Sequence, residues 1–304
     1  MIYKTFDELI TVVKDRNEKT GCAVVLPEDS YTLQAVIRAY REDIITPILI
    51  GNPVVIEKEM EKLRLSGLEE LEIIDIDNPE EATQKAVDLV HEGRVSNIMK
   101  GLIKTATFMH VLLKKENGLR TGRAASMLSI REMPNYHKLI ALTDTALCIE
   151  PDLETKRQII ENAVEAMISM GFDKPKVAAL ASAEAVNPKM SETLDAAELV
   201  RMNEEGIIRD CKIAGPLSFD LAVRNDAAAI KGVDDEVAGD ADLLLFPDLR
   251  SANITAKAIS FVSGIPVGSL VLGTKIPVII SSRSSPAETK YLCIALAAAA
   301  KLNK

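Results

Sequence analysis

Ser281-Ser282-Arg283-Ser284-Ser285 follows directly on the apolar run Pro277-Val278-Ile279-Ile280, and Pro286 and Glu288 come next. The run reads as the end of a buried strand. Ser285, Pro286 and Glu288 then spell a helix start: a cap, a first helical residue and a capping-box partner. A strand that turns into a helix aims free backbone N–H groups and a positive dipole end at one spot. Arg283 sets a planar fork of donors beside it. These residue types in this order suit an anion, phosphate above all. A plain strand-to-helix turn whose arginine pairs with a surface carboxylate would spell the same letters.

Other polar clusters stand where strands are expected to end, which is where ligands sit in doubly wound sheets. Lys100-Gly101 precedes Lys104-Thr105; the glycine permits close backbone approach and Thr105 can cap the next helix. Gly118-Leu119-Arg120-Thr121-Gly122-Arg123 flanks two arginines with glycines. Thr143-Asp144-Thr145 follows Ile140-Ala141-Leu142, and Gly215 to Asp220 follows another apolar run. Phe246-Pro247-Asp248 leads into Ser251 and Asn253. Each cluster also has an ordinary reading as turn chemistry.

Several familiar devices are missing. The chain has no GxGxxG, no GxxxxGK[ST] and no GxSxG, which counts against the corresponding dinucleotide, P-loop and hydrolase sites. The cysteines at 22, 148, 211 and 293 form no CxxC pair, and His91, His110 and His137 show no metal-ligand spacing. No metal is expected, and the cysteines read as reduced core residues of a cytoplasmic protein.

The elements that must position these clusters alternate along the chain. Apolar strand patterns near 22–26, 47–50, 71–76, 97–99, 139–142, 177–180, 211–213, 243–246, 267–272 and 278–280 are separated by helical patterns. This rhythm predicts an α/β protein with mostly parallel sheets covered on both faces. Asp77 or Asn78 caps a helix from Pro79 to His91. The rhythm pauses over 116–136, a loop-like stretch with one apolar piece from Met127 to Ile130. A domain change is placed there.

With 304 residues, two domains are expected. The net charge of −9 and the 4% of aromatic residues offer neither a basic stripe nor stacking platforms, so nucleic acid is a poor partner. The N-terminal residues lack a signal-peptide pattern, and no apolar run reaches membrane-span length. Leu292 to Ala300, apolar all round, is expected to be a buried helix or a contact between subunits of a homodimer or higher homo-oligomer.

Taken together, the chain resembles the phosphate acetyltransferase/phosphate butyryltransferase family, closer to the butyryl branch. The segments that carry the resemblance are Ile98 to Gly101 with Lys104-Thr105, Gly118 to Arg123, Leu142-Thr143-Asp144, Val186 to Met190 and Ala196 to Leu199. They continue with Gly215-Pro216-Leu217, Glu236 to Asp242, Phe246 to Asn253, and Ser282-Arg283 with Ala287 to Lys290. The resemblance implies transfer of an acyl group between coenzyme A and inorganic phosphate. It also implies an isocitrate/isopropylmalate dehydrogenase-like fold of two α/β/α domains flanking a cleft, the C-terminal segment returning to the first. On that basis residues 1–130 with 275–304 form one domain and 131–274 the other.

The resemblance assigns Ser282 and Arg283 as catalytic. Substrate contacts are expected from Lys100, Thr105, Arg120, Arg123, Asp144, Asp248, Asn253 and Ser285. Acyl-CoA and phosphate are the expected substrates, with no tightly bound cofactor. Three positions depart from the acetyl branch: Thr289 where that branch has an Asp proposed as the base for the CoA thiol, Thr145 in place of a cysteine, and His110 in place of an arginine. Glu288 and Asp144 are then the local carboxylate candidates. Two alternatives stay open: a metal- and nicotinamide-dependent dehydrogenase of the same fold, with Asp144, Asp220 and Asp248 as imagined ligands, and a catalytically degenerate CoA-binding subunit.

Overall fold

Helix caps and short apolar strands alternate from the start of the chain. The computed structural model describes residues 2–65 and 70–302. Helix α1 (Phe6–Asp15) precedes β1 (Thr20–Val25), α2 (Ser30–Arg41), β2 (Ile45–Gly51), α3 (Pro53–Lys62), β3 (Glu72–Asp75), α4 (Pro79–His91), β4 (Asn97–Lys100) and α5 (Thr105–Leu112). Asp29, Asn52 and Asn78 cap α2, α3 and α4 with their side chains, and Pro53 and Pro79 fill the first helical positions. These starts are encoded locally, because a short acceptor just before the helix, followed by proline in α3 and α4, satisfies orphan N–H groups with no distant help.

Residues 122–267, with the first six residues, form a second unit. It carries β5 (Ser126–Arg131), β6 (Ile140–Thr143), α6 (Leu153–Met170), β7 (Lys176–Leu180), α7 (Ser191–Glu204), β8 (Lys212–Leu217), α8 (Phe219–Val223), α9 (Asn225–Lys231), β9 (Leu243–Leu245) and α10 (Leu249–Ser263). Its strands run in the order β5-β6-β9-β7-β8, all parallel neighbours except the antiparallel pair β5–β6. Leu142, Leu180, Leu221, Val237, Leu244 and Phe246 belong to its core. The Tyr3 hydroxyl donates to the Met170 carbonyl and ties the N-terminal residues to this unit.

The chain then returns with β10 (Val267–Leu272), β11 (Val278–Ile279) and α11 (Ala287–Ala299). Residues 7–121 and 268–304 make up the other unit. Its strand order is β3-β2-β1-β4-β11-β10. Neighbours are parallel from β3 through β11, and β10 is antiparallel to β11. The units divide at 121/122 and 267/268, whereas boundaries at 130 and 274 would fall inside β5 and just past β10. The glycine-flanked arginine segment, rather than the apolar piece after it, is where the chain passes from one unit to the other.

Helix α11 settles the reading of its apolar run. Every residue from Lys290 to Ala300 is buried within the chain itself, and α11 packs on α2, β4 and β11. The run is an interior helix. Cys22, Cys211 and Cys293 are buried and Cys148 half-buried, all as free thiols. Burial pushes the Cys22 thiol up to about 12. Among the described residues, no helix is long and apolar enough to cross a membrane.

Candidate anion site

In the unit that contains β1 and β4, the strand order reverses at this pair: β2 and β3 lie to one side of β1, and β4 lies to the other. Such a switch point opens a crevice beyond the carboxyl ends of the two strands. The chain there is drawn in tightly. Gly101 N–H donates to the Val25 carbonyl at 2.8 Å, and Leu102 N–H donates to the Leu26 carbonyl at 2.8 Å. A Cβ on Gly101 would stand 2.1 Å from the Leu26 carbonyl oxygen, so this close approach needs glycine.

Three cations gather at this edge. Lys100, the last residue of β4, is 3% exposed, and its Nζ donates to the carbonyls of Gly101 and Ile103, each at 3.1 Å. Lys290 on α11 is 2% exposed, and its Nζ donates to Ser281 Oγ at 3.2 Å. Arg283 stands exposed in the turn after β11, the parallel neighbour of β4. Burial, followed by the positive charges of Lys290 and Arg283, lowers Lys100 to about 8 against a weaker opposing pull from Asp29. Burial lowers Lys290 as well, again opposed by Asp29.

Among the described residues, no carboxylate lies within ion-pair distance of Lys100, Lys290, Arg283 or Arg120. Asp29 spends its oxygens on the backbone N–H and hydroxyl of Thr32. Buried ammonium groups without a counter-charge are costly even when hydrogen-bonded. A bound anion is the natural way to offset that cost, and the starts of α5 and α11 add free N–H groups on the same edge. Arg120 joins the same unit through a backbone bridge to Thr274.

Several expected roles change. Ser285 does not cap α11: the N-cap is Pro286, with no side-chain bond. Glu288 is not a capping-box partner, because Arg38, stacked on the Tyr291 ring, draws its carboxylate into an ion pair. Ser285 instead closes a turn, its N–H donating to the Ser282 carbonyl at 3.0 Å, while the Ser282 and Ser284 hydroxyls share a 2.9 Å bond. Thr105 is the first residue of α5 rather than its cap; Lys104 holds the cap position without a side-chain bond. The absent caps leave both helix starts free to receive a ligand.

The remaining expected contacts lie in the other unit. Asp144 is 3% exposed, and its carboxylate accepts from the backbone N–H groups of Met127, Ala146, Leu147 and Cys148 at 2.8–3.2 Å. It shapes the loop after β6 and is not a free base. Arg123 pairs with Glu165 at 2.7 Å. Asp248 caps α10 by accepting from Ser251 N–H, and Asn253 donates to the Thr145 carbonyl at 3.0 Å. Asp220, the other imagined metal ligand, faces Lys231 at 3.3 Å. The three aspartates of the dehydrogenase alternative thus each serve a separate local purpose.

Sequence reasoning assigned no role to Lys290 or Ser281. The signal in the sequence for Lys290 is its place directly before Tyr291 and the apolar run Leu292 to Ala300, on a helix expected to be interior.

The sequence signature described as phosphate acetyl/butaryl transferase matches residues 78–298. The chain is 38% identical to a phosphate butyryltransferase of Clostridium acetobutylicum over 99% of both chains. It is 38% identical to a phosphate acetyltransferase of Thermotoga maritima, covering 96% of this chain and 98% of that one. The crystal structure of a branched-chain phosphotransacylase from Enterococcus faecalis V583 matches with a TM-score of 0.81 at 29% identity, covering 92% of this chain and 98% of that chain. The chain belongs to the phosphate acetyl/butaryl transferase family and is a phosphate acyltransferase.

Proposed function

We propose that the chain moves a short acyl group, butyryl or branched-chain, between coenzyme A and inorganic phosphate through a ternary complex, giving acyl phosphate and free CoA. The observation that supports the reading best is the cation group of Lys100, Lys290 and Arg283, unpaired with any described carboxylate, at the carboxyl edge of β4 and β11. Phosphate is held by the Arg283 fork and Lys290, within the positive field of Lys100. One of its oxygens attacks the thioester carbonyl, and the resulting oxyanion is met by Ser282 and nearby backbone N–H groups. Collapse expels CoA thiolate, a good leaving group because the thiolate is only weakly basic. Holding both substrates together supplies much of the rate. Acyl-CoA and phosphate are the only small molecules this scheme uses.

The test is release of CoA thiol from acetyl-, propionyl-, butyryl- and isobutyryl-CoA, with and without phosphate. Release should depend on phosphate and favour the four-carbon substrates. Equal release in both conditions would refute transfer; a preference for acetyl-CoA would refute only the chain length.

Phosphate affinity should also depend on pH. Lys100 is charged below about 8 and neutral above it. Phosphate KM should therefore be steady below neutrality and climb as the pH rises through and beyond about 8, bound anion pushing the midpoint upward. A KM that stays flat to pH 10 would remove Lys100 from phosphate binding.

Assembly as a homodimer or higher homo-oligomer is part of the same proposal, with a different surface from the one expected. Helix α11 is interior, whereas Ile254, Phe261 and Val262 on α10 are 69%, 92% and 82% exposed. Ile254 and Phe261 are two helical turns apart and share a face.

A further inference from the structure

We propose that Lys100 is the acid–base residue for the CoA thiol: its ammonium protonates the departing thiolate when phosphate attacks acyl-CoA, and its amine accepts the thiol proton in the reverse direction. The proposal rests on the acyl-transfer reading above and adds the proton carrier that reading lacks.

The carboxylates that could have done this work are committed elsewhere. Position 289 is a threonine, Glu288 is ion-paired with Arg38, and the Asp144 carboxylate is wrapped by backbone N–H groups. Lys100 is differently placed. A lysine nitrogen has four tetrahedral positions. Cε and the bonds to the Gly101 and Ile103 carbonyls take three of them. The fourth carries a proton in the ammonium and a lone pair in the amine, and the two carbonyls are satisfied in both states. Proton exchange therefore needs no rearrangement of the bonds that hold the side chain.

The surroundings tune the group. Lys290 from α11 and Arg283 from the turn after β11 face it with like charge, and Asp29 at the start of α2 faces it with opposite charge. Together with burial they bring the amine to about 8, close to the ~8.5 of an ordinary thiol. Donor and acceptor matched in this way pass a proton with little penalty in either direction.

The steps balance. A phosphate oxygen lone pair forms the bond to the carbonyl carbon, and the C=O pair moves onto oxygen. Collapse of that oxyanion restores C=O and breaks C–S, the pair leaving on sulfur. The sulfur takes a proton from Lys100, and the neutral amine regains one from water. In reverse, Lys100 takes the thiol proton, sulfur attacks the acyl phosphate carbonyl, and phosphate leaves with the C–O pair.

The experiment compares wild type, Lys100→Met and Lys100→Arg in the acyl phosphate plus CoA direction from pH 6.5 to 10. Both variants should lose on the order of a hundredfold in kcat near pH 7. The loss should shrink to below about tenfold near pH 10, where the thiol ionises unaided. Arginine should not rescue, because it keeps the charge but does not release a proton. A loss that is constant across pH, or near-normal turnover by Lys100→Arg, would overturn the assignment and leave Lys100 as an anion holder only. If both variants fail to fold, wild type decides: a solvent deuterium effect on kcat of about twofold or more supports proton transfer by an enzyme group, and its absence refutes it. Wild type without phosphate-dependent thiol release would refute the transfer reading and this proposal together; active wild type with pH-independent variant losses refutes this proposal alone.

Discussion

Replacing Arg283 with alanine should remove most acyl-transfer activity and leave the fold intact. Arg283 is exposed in the turn between Ser282 and Ser285 and forms no ion pair with the described residues, so its removal breaks no ion pair of the fold. The phosphate loses its bidentate donor, and the oxyanion loses nearby positive charge. Loss of one such contact typically costs about 3 kcal/mol, roughly a hundredfold in rate. Arg283→Lys should recover little, since an ammonium does not reproduce the fork. Thr289→Ala should be mild, because a threonine hydroxyl is no base for a thiol. Steady-state kinetics with varied phosphate, beside thermal unfolding, checks all three. Near-normal turnover by Arg283→Ala together with a large loss in Thr289→Ala would place the centre of the site elsewhere on α11.

Replacing Asp144 with alanine should act on stability first. Its carboxylate accepts from four backbone N–H groups in the loop after β6. Hydrogen bonds to a charged acceptor contribute about 1.5–3 kcal/mol each, and buried donors left without a partner add their desolvation cost. The summed loss should be about 3 kcal/mol or more, enough to lower Tm by on the order of 10 °C in a domain of this size. Asp144→Asn should fall between, because its amide keeps one acceptor oxygen. Thermal unfolding followed by circular dichroism measures this. A Tm within two degrees of wild type combined with lost turnover would instead make Asp144 a substrate ligand.

The two outcomes separate what was legible in the residues from what was not. Helix α4 and strand β10 lie where the pattern alone puts them. Their signals are local: Asn78 before Pro79, and the uncharged run from Val267 that ends in Leu270-Val271-Leu272. The cation-bearing strand ends were equally readable, because Lys100 directly follows Ile98-Met99 and Arg283 comes two serines after Val278-Ile279-Ile280. Similarity over nearly the whole chain then fixes the family.

Tertiary structure decided the rest, wherever a side chain's partner is remote in sequence. The letters Ser-Pro-Ala-Glu favour a capping box, yet Arg38 on α2 outbids the helix's own N–H groups for Glu288. Lys290 looks like one more polar residue of the helix start Glu288-Thr289-Lys290 until α11 packs on α2 and buries it beside Ser281. Asp144 looks like a free carboxylate at a strand end until β5 pairs with β6 and brings the Met127 N–H to one of its oxygens. Sequence sets which groups are available and where local geometry will place them. Burial sets which of them stay charged, paired or free, because the cost of leaving a polar group unpaired depends on the groups that the fold brings within reach.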